Sequence, residues 1–439
     1  MAKSTEKVIG YLPDETPSAG KLILFAFQQM LVMFPATVTV ALLTGFHIST
    51  TIFASGFATL SFLFITQGKI PLYYGSSFSY IAAIISITGV TSGLAPDALI
   101  SQAQFGIIMS GFVSIAVGLI VRRFGMDIIE KVLPATVTGS IAMVIGISLA
   151  GIAMTSAAGF SNGAASDKAW IAALVTLFST IIFSVYLKGV WGQLPILFGI
   201  LVGYAISIPL GLVDFASIWT GTIVEVPHFT LPIPNWAAVA AIMPIAIATI
   251  PESTAHLFQL DIYVNDLAKK KGKGNYGIAN KLGLNLIGDG IGDIVASIFG
   301  GPAGTNYGEN ISTMAITKNF SVKVLGAAAI MAIVLSFLQP LSNAIRSVPS
   351  SVINGACIYL FGVIGAQGVA IMINKKVDLF DSRNLAVIAV ILVIGLGGAY
   401  GFPNGMIPVF GMQLPAIATA ATVGIVLNLV LSIGRKKGA

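Results

Sequence analysis

The sequence predicts an all-α polytopic membrane protein: fourteen transmembrane segments arranged as 7+7 inverted repeats, with short strands preceding half-helices in the third and tenth segments. Three observations carry this reading. The 439 residues are 56% hydrophobic and only 9% charged, with a mean hydropathy of +0.93, too apolar for a soluble globular chain. Apolar stretches recur at about the 20 residues that cross a hydrocarbon core of about 30 Å. The basic residues then fall almost wholly on one side of the topology those stretches define.

Taken in order, the segments run near 22–44, 50–67, 75–90, 99–121, 132–154, 169–187, 193–213, 236–258, 282–299, 305–317, 324–342, 349–373, 384–401 and 415–434. With the N-terminus in the cytoplasm, 21 of the 23 basic residues lie inside, and only Lys168 and Arg346 fall outside. An odd error in the segment count would invert every later loop, so the asymmetry tests the count. The inner set includes Lys3, Lys7, Lys131, the run Lys269, Lys270, Lys271 and Lys273, and the tail Arg435, Lys436 and Lys437. That run reads as a solvated loop and not as a nucleic-acid surface. The polar opening MAKSTEKVIGYLPDETPSAG lacks the pattern of a cleaved signal peptide. Both termini are thus expected in the cytoplasm, and the chain in the cell's inner membrane. The single cysteine, Cys357, reads as a small residue in a packed helix.

Seven segments precede residue 213 and seven follow 236, separated by an acidic connection without Lys or Arg, LVDFASIWTGTIVEVPHFTLPIPN. An odd number per half sets the halves in opposite orientation, an architecture whose ligand site lies near the bilayer midplane between discontinuous helices. The two short segments correspond. Tyr74, Gly75, Ser76, Ser77 and Phe78 align with Tyr307, Gly308, Glu309, Asn310 and Ile311, each stretch following a proline, Pro71 or Pro302. Both read as a strand that turns at Gly into a half-helix, whose free N–H groups point into the membrane centre.

Glu252 and Glu309 are acids in otherwise apolar surroundings, costly at such depth and therefore functional candidates. His256 lies four residues beyond Glu252 on the same helical face, the equipment of a proton relay. Asp289 and Asp293 form another i, i+4 pair; Asp289, bracketed by glycines, is the candidate supporting group and Asp293 a packing candidate. Carboxylates accept hydrogen bonds and helix N-termini donate them, so the complementary ligand is a flat neutral ring alternating N–H and C=O, such as uracil or xanthine. Phe78 and Tyr307 supply aromatic surface nearby. An inorganic anion would meet two acids and no buried Lys or Arg. The three histidines, His47, His228 and His256, are far apart in sequence and at different expected depths, so neither a metal cluster nor an enzyme's catalytic set is expected. No cofactor is expected, and His47 and His228 read as surface residues of outer loops.

The stretches GKIPLYYGSSFSYI, PESTAHL and NYGENISTMAITK, with the early FQQMLVMFPATV and the later YLFGVIGAQG, resemble the nucleobase/ascorbate transporter (uracil/xanthine permease) family, and its uracil permeases in particular. The resemblance covers nearly the whole chain, and its signature falls on Glu309, Asn310, Thr317 and Lys318. It implies a cytoplasmic N-terminal segment at 1–20, a core domain from 21–124 and 236–342, and a gate domain from 125–235 and 343–439. It also implies proton-coupled nucleobase symport by alternating access between these domains. Carried over by position, Glu252 and Glu309 accept from the ring, backbone N–H groups at Phe78 and Gly308 donate to it, and His256 serves proton coupling. Asp289 matches an acid common in purine-transporting relatives. A homodimer through the gate domain is implied by the resemblance alone.

Three positions depart from the pattern: Ser312 stands at the signature Gly, Gln29 where uracil permeases often have His, and Pro251 where Ala is usual. These keep a purine symporter open as the alternative to uracil, with an anion transporter of the same architecture behind it. The acid at position 309 favours a pyrimidine.

Overall fold

The computed structural model describes residues 10–90, 93–125, 132–160, 164–409 and 412–433. Lys3, Lys7, Lys131, Arg435, Lys436 and Lys437 lie outside these residues, as do residues 1–9 of the 1–20 segment. The described chain is almost wholly helical. In order it forms α1 (Ala19–Thr44), α2 (Ile48–Ile65), strand β1 (Tyr74–Ser76), α3 (Ile81–Thr88), α4 (Asp97–Phe124), α5 (Ala135–Ser148), α6 (Ala150–Ala157), α7 (Asp167–Tyr186) and α8 (Pro195–Ser207). There follow α9 (Trp236–Ile242), α10 (Ile245–Lys270), α11 (Leu282–Ile298), strand β2 (Gly304–Asn306), α12 (Gly308–Thr317), α13 (Val322–Leu335), α14 (Gln339–Arg346), α15 (Ser350–Asn374), α16 (Ser382–Gly401), the hairpin β3 (Met406–Val409) and β4 (Met412–Pro415), and α17 (Ala416–Val430).

Among the described residues eight helices, counting α5–α6 and α9–α10 each as one, are long and apolar enough to cross a membrane, with further apolar helices of 10–17 residues between them. Local chemistry sets their ends. Gly45, in the left-handed conformation at φ 78°, closes α1 by returning its N–H to Ala41. Pro340, at the start of α14, ends the run expected at 324–342, so α13 stops at Leu335 and a separate short helix follows. In the other direction α10 outruns its expected end at 258 and carries Lys269 and Lys270 in its last turn, where cations meet the negative end of the helix dipole.

Close packing comes from glycines. α4 and α11 run antiparallel with Gly111 and Gly118 against the backbone of Gly290 and Gly283, and a Cβ at Gly118 would fall 2.7 Å from the Gly283 carbonyl. Helices α1–α4 and α9–α13 pack chiefly on one another, and α5–α8 with α15–α17 form a second group, with sparse contacts between the two. One of those contacts is an apolar plug: Val40, Leu43 and Ile81 from the first group meet Leu149, Ile353, Cys357 and Phe361 from the second. Phe78 closes it edge-on to Phe361, with ring centroids 6.5 Å apart.

The chain preceding α1 docks on the lysine-rich end. Tyr11 exchanges backbone hydrogen bonds with Lys318 and Phe320, and Glu15 accepts from Lys271 at 2.5 Å, Lys273 at 3.1 Å and the Leu12 N–H at 2.9 Å. Burial alone would raise the Glu15 carboxyl, but these donors outweigh it and push it down from 4.5 to about 2.

Candidate functional site

The two interrupted segments meet at their tips. β1 and β2 pair antiparallel, Tyr74 opposite Asn306 and Ser76 opposite Gly304, with Ser77 N–H on the Ala303 carbonyl (2.9 Å) and Tyr307 N–H on that of Tyr73 (3.1 Å) extending the ladder. Ser55 and Thr59 of α2 each donate to the Tyr74 carbonyl at 2.9 Å, which ties β1 to the scaffold.

The register corrects the expected alignment of the two segments by three residues. The second helix starts at Gly308 as anticipated, but Gly75 lies inside its strand and the first helix starts at Phe78, as a turn of 3-10 helix capped by Ser77. Phe78 therefore corresponds to Gly308, and Ser79, not Ser76, to Glu309. Matching the two Tyr-Gly pairs misled the sequence comparison, because Tyr74-Gly75 lies within its strand whereas Tyr307-Gly308 follows its strand and opens the helix.

Just beyond the strands lies an interior cavity of about 570 Å³. Phe78, Glu252, His256, Tyr307, Gly308 and Glu309 all line it, so six of the seven candidate site residues converge on one space. α5 and α15 form the opposite wall, through residues such as Ile145 and Gln367, and the lining continues along α15 to Asn374 beside Lys375, so the cavity extends toward the lysine-rich end. Phe78 and Leu360, which also pack in the plug around Phe361, line another part of the cavity.

Each polar group has a definite seat. Glu309, in the first turn of α12, presents its carboxylate to the cavity, where the helix N-terminus favours negative charge. Glu252 Oε2 accepts from Ser79 Oγ at 3.4 Å. His256 does not hydrogen-bond to Glu252: its ring lies against Gly308, where a Cβ would come within 2.8 Å of Nε2, and its Nδ1 is buried without a partner. Tyr307 is pinned, its hydroxyl donating to the Ser76 carbonyl at 2.8 Å and lying 3.0 Å from Thr37 Oγ1. Ser312, the departure from the family signature, also lines the cavity, whereas Asn310 turns away to donate to Gln29 on α1 at 2.7 Å.

Asp289 is the seventh candidate and stands outside the cavity. It accepts from Ser253, the neighbour of Glu252, from Asn306 Nδ2 at 2.7 Å and from Asn285 Nδ2 at 3.4 Å, and of these three Asn306 lines the cavity. Asp293 anchors the strands, accepting from the Tyr74 hydroxyl at 2.5 Å and the Gly304 N–H at 2.8 Å. Sequence reasoning had no signal for Ser79 or Ser253, since serines are unremarkable until the fold places them beside acids.

A helical bundle whose two broken segments and two interior carboxylates wall a cavity within the membrane is the architecture of a multi-pass transporter. The fold agrees with that of the murine anion transporter Solute Carrier 26 family member A9 in its inward-facing state, at a TM-score of 0.68 and 12% identity over 96% of this chain and 70% of that one. The chain belongs to the Permease family, whose Xan_ur_permease model matches residues 20–404. It is 38% identical to the uracil permease of Bacillus caldolyticus over 97% of this chain and 95% of that protein, and 36% identical to that of Bacillus subtilis over 97% and 96%. It is accordingly a transporter and not an enzyme.

Proposed function

We propose that this protein is a proton-coupled symporter that imports a nucleobase, uracil first, across the inner membrane. The observation that carries the proposal is the convergence of Glu252 and Glu309 on one interior cavity beside two half-helix N-termini. The Bacillus relatives are uracil permeases, which favours uracil over a purine. In this reading the ring N–H groups donate to Glu252 and Glu309, and the N–H groups of Phe78 and Gly308, which have no acceptor within their own helix, donate to the ring carbonyls. Tyr307 fixes the floor.

Helices α1–α4 and α9–α13 form the core domain and the second group the gate domain, two inverted repeats of seven segments with both termini cytoplasmic. The cavity, continuous toward the lysine-rich end, then corresponds to an inward-open state, with the Phe361 plug as the closed outer gate. An ionised carboxylate is costly to carry through a closed, dry site, so a proton on Glu252 removes one of the two carboxylate charges before the core moves against the gate. His256, Asp289 and Ser253 adjust where that proton rests. Proteoliposomes test the coupling: uracil uptake should collapse when the inward proton gradient is dissipated, and undiminished uptake overturns it.

A further inference from the structure

At the end of the bundle opposite the lysines, three side chains distant in sequence converge. His47 lies in the turn between α1 and α2, Asp97 opens α4, and His228 sits in the connection leading to α9. His47 Nε2 is 3.1 Å from Asp97 Oδ1 and His228 Nε2 is 2.7 Å from Oδ2, while the two imidazole centroids are 4.4 Å apart. One ligand atom from each of the three residues falls within 4.8 Å of the others. His228 is a surface residue as expected, but His47 is buried, and two of the chain's three histidines face one carboxylate.

The fold holds these groups in place. The His228 carbonyl accepts from Thr50 Oγ1 at 2.6 Å, Thr230 exchanges two hydrogen bonds of 2.8 Å with Gln104, and the Ile233 N–H donates to the Ser101 carbonyl at 2.9 Å. His47 is itself buried. None of the three residues lines the cavity of the transport site.

We propose that His47, Asp97 and His228 bind a divalent transition-metal ion of the zinc class. Two imidazole nitrogens and one carboxylate oxygen suit zinc, nickel or copper, and disfavour calcium and magnesium, which seek all-oxygen sites. With metal–ligand bonds of about 2.1 Å, ligand atoms in a tetrahedral shell stand roughly 3.4 Å apart. The present contacts of 3.1 and 2.7 Å are roughly 0.3 and 0.7 Å shorter than this tetrahedral spacing, a difference the half-exposed side chains of Asp97 and His228 take up by rotation. Each imidazole then carries its proton on Nδ1 and offers the Nε2 lone pair. Three protein ligands leave the fourth position to water, as in an open site. Arg346, in the wall of the neighbouring cavity with Phe46 and Ile48, opposes the cation and sets a ceiling on affinity. An occupied site clasps the connection between the two halves of the chain onto α4 and the α1–α2 turn.

The test is a titration of the purified, chelator-stripped full chain with Zn²⁺ alone. One ion per chain is expected, with two imidazoles in the first shell by X-ray absorption, and at least about a tenfold loss of affinity in His228→Ala and in Asp97→Asn. His228 is exposed, so its variant does not depend on refolding a buried site, and the Tm of each variant without metal confirms that it is folded. Absence of saturable binding, a first shell without two imidazoles, or unchanged affinity in both variants overturns the proposal.

Discussion

Gly308 offers a quantitative test of how the half-helix tip is built. A Cβ at this position would lie 2.8 Å from His256 Nε2, roughly 0.6 Å inside ordinary van der Waals contact. The backbone of Gly308 cannot retreat freely, because Tyr307 before it is held by the strand ladder and by its hydroxyl bonds to Ser76 and Thr37. The His256 ring must move instead, with the first turn of α12 following in part, and overpacking of this kind costs about 1–3 kcal/mol. If the site binds its ligand with both the Gly308 N–H and Glu309, Gly308→Ala weakens binding by about 5- to 150-fold. The assay is equilibrium binding of radiolabelled uracil to the purified protein, together with Tm. His256→Ala should restore the Tm lost in Gly308→Ala, because it removes the atom the methyl strikes. Wild-type binding and Tm in Gly308→Ala, or no recovery in the double variant, would refute this account of the tip.

Three further outcomes follow from the same geometry. Cys357 is the chain's one cysteine and is buried in the plug, so Phe361→Ala should speed its reaction with an impermeant maleimide from the lysine-poor face by at least about tenfold, since a lost core phenylalanine costs about 3–5 kcal/mol; an unchanged rate removes the plug as a gate. Tyr74→Phe takes a donor from Asp293 and leaves that buried acid with the Gly304 N–H, at a cost of about 1–3 kcal/mol read as a lower Tm; an unaltered Tm denies Asp293 its anchoring role. Because the folded Glu15 carboxyl lies below its unfolded value, its contribution to docking the N-terminal chain is complete above about pH 4.5 and is lost as pH falls toward about 2. Hydrogen exchange at Leu12 should rise over that window in wild type and be fast throughout in Glu15→Gln; equal protection in both contradicts the docking.

Much of this was legible in the sequence, because a bilayer leaves a chain few choices. Apolar stretches of bilayer length marked the helices, and an acid among them stood out by its cost, which is why Glu252 and Glu309 were found before their neighbours. The i, i+4 rule placed His256 on the face of Glu252, yet it could not show that the ring points to Gly308. Register was harder. The two strands are three residues each, too short for periodicity to fix their offset, so the Tyr-Gly pairs drew the alignment three residues astray. The His47, Asp97 and His228 cluster had no local signal at all, because it joins residues up to 181 positions apart that only the packed bundle brings together.

The central claim is that Glu252 and Glu309 are the two acceptors of a nucleobase site, and equilibrium binding of radiolabelled uracil to the wild-type protein, Glu252→Gln and Glu309→Gln tests it most directly. A hydrogen bond to a charged group contributes about 1.5–3 kcal/mol and one to a neutral group about 0.5–1.5 kcal/mol. Glu309→Gln should therefore bind uracil about 10- to 150-fold, and Glu252→Gln, whose parent acid carries the proton, about 2- to 13-fold more weakly than a wild type that binds it saturably. Failure of the wild type to bind uracil, or wild-type affinity in both variants, would contradict the account.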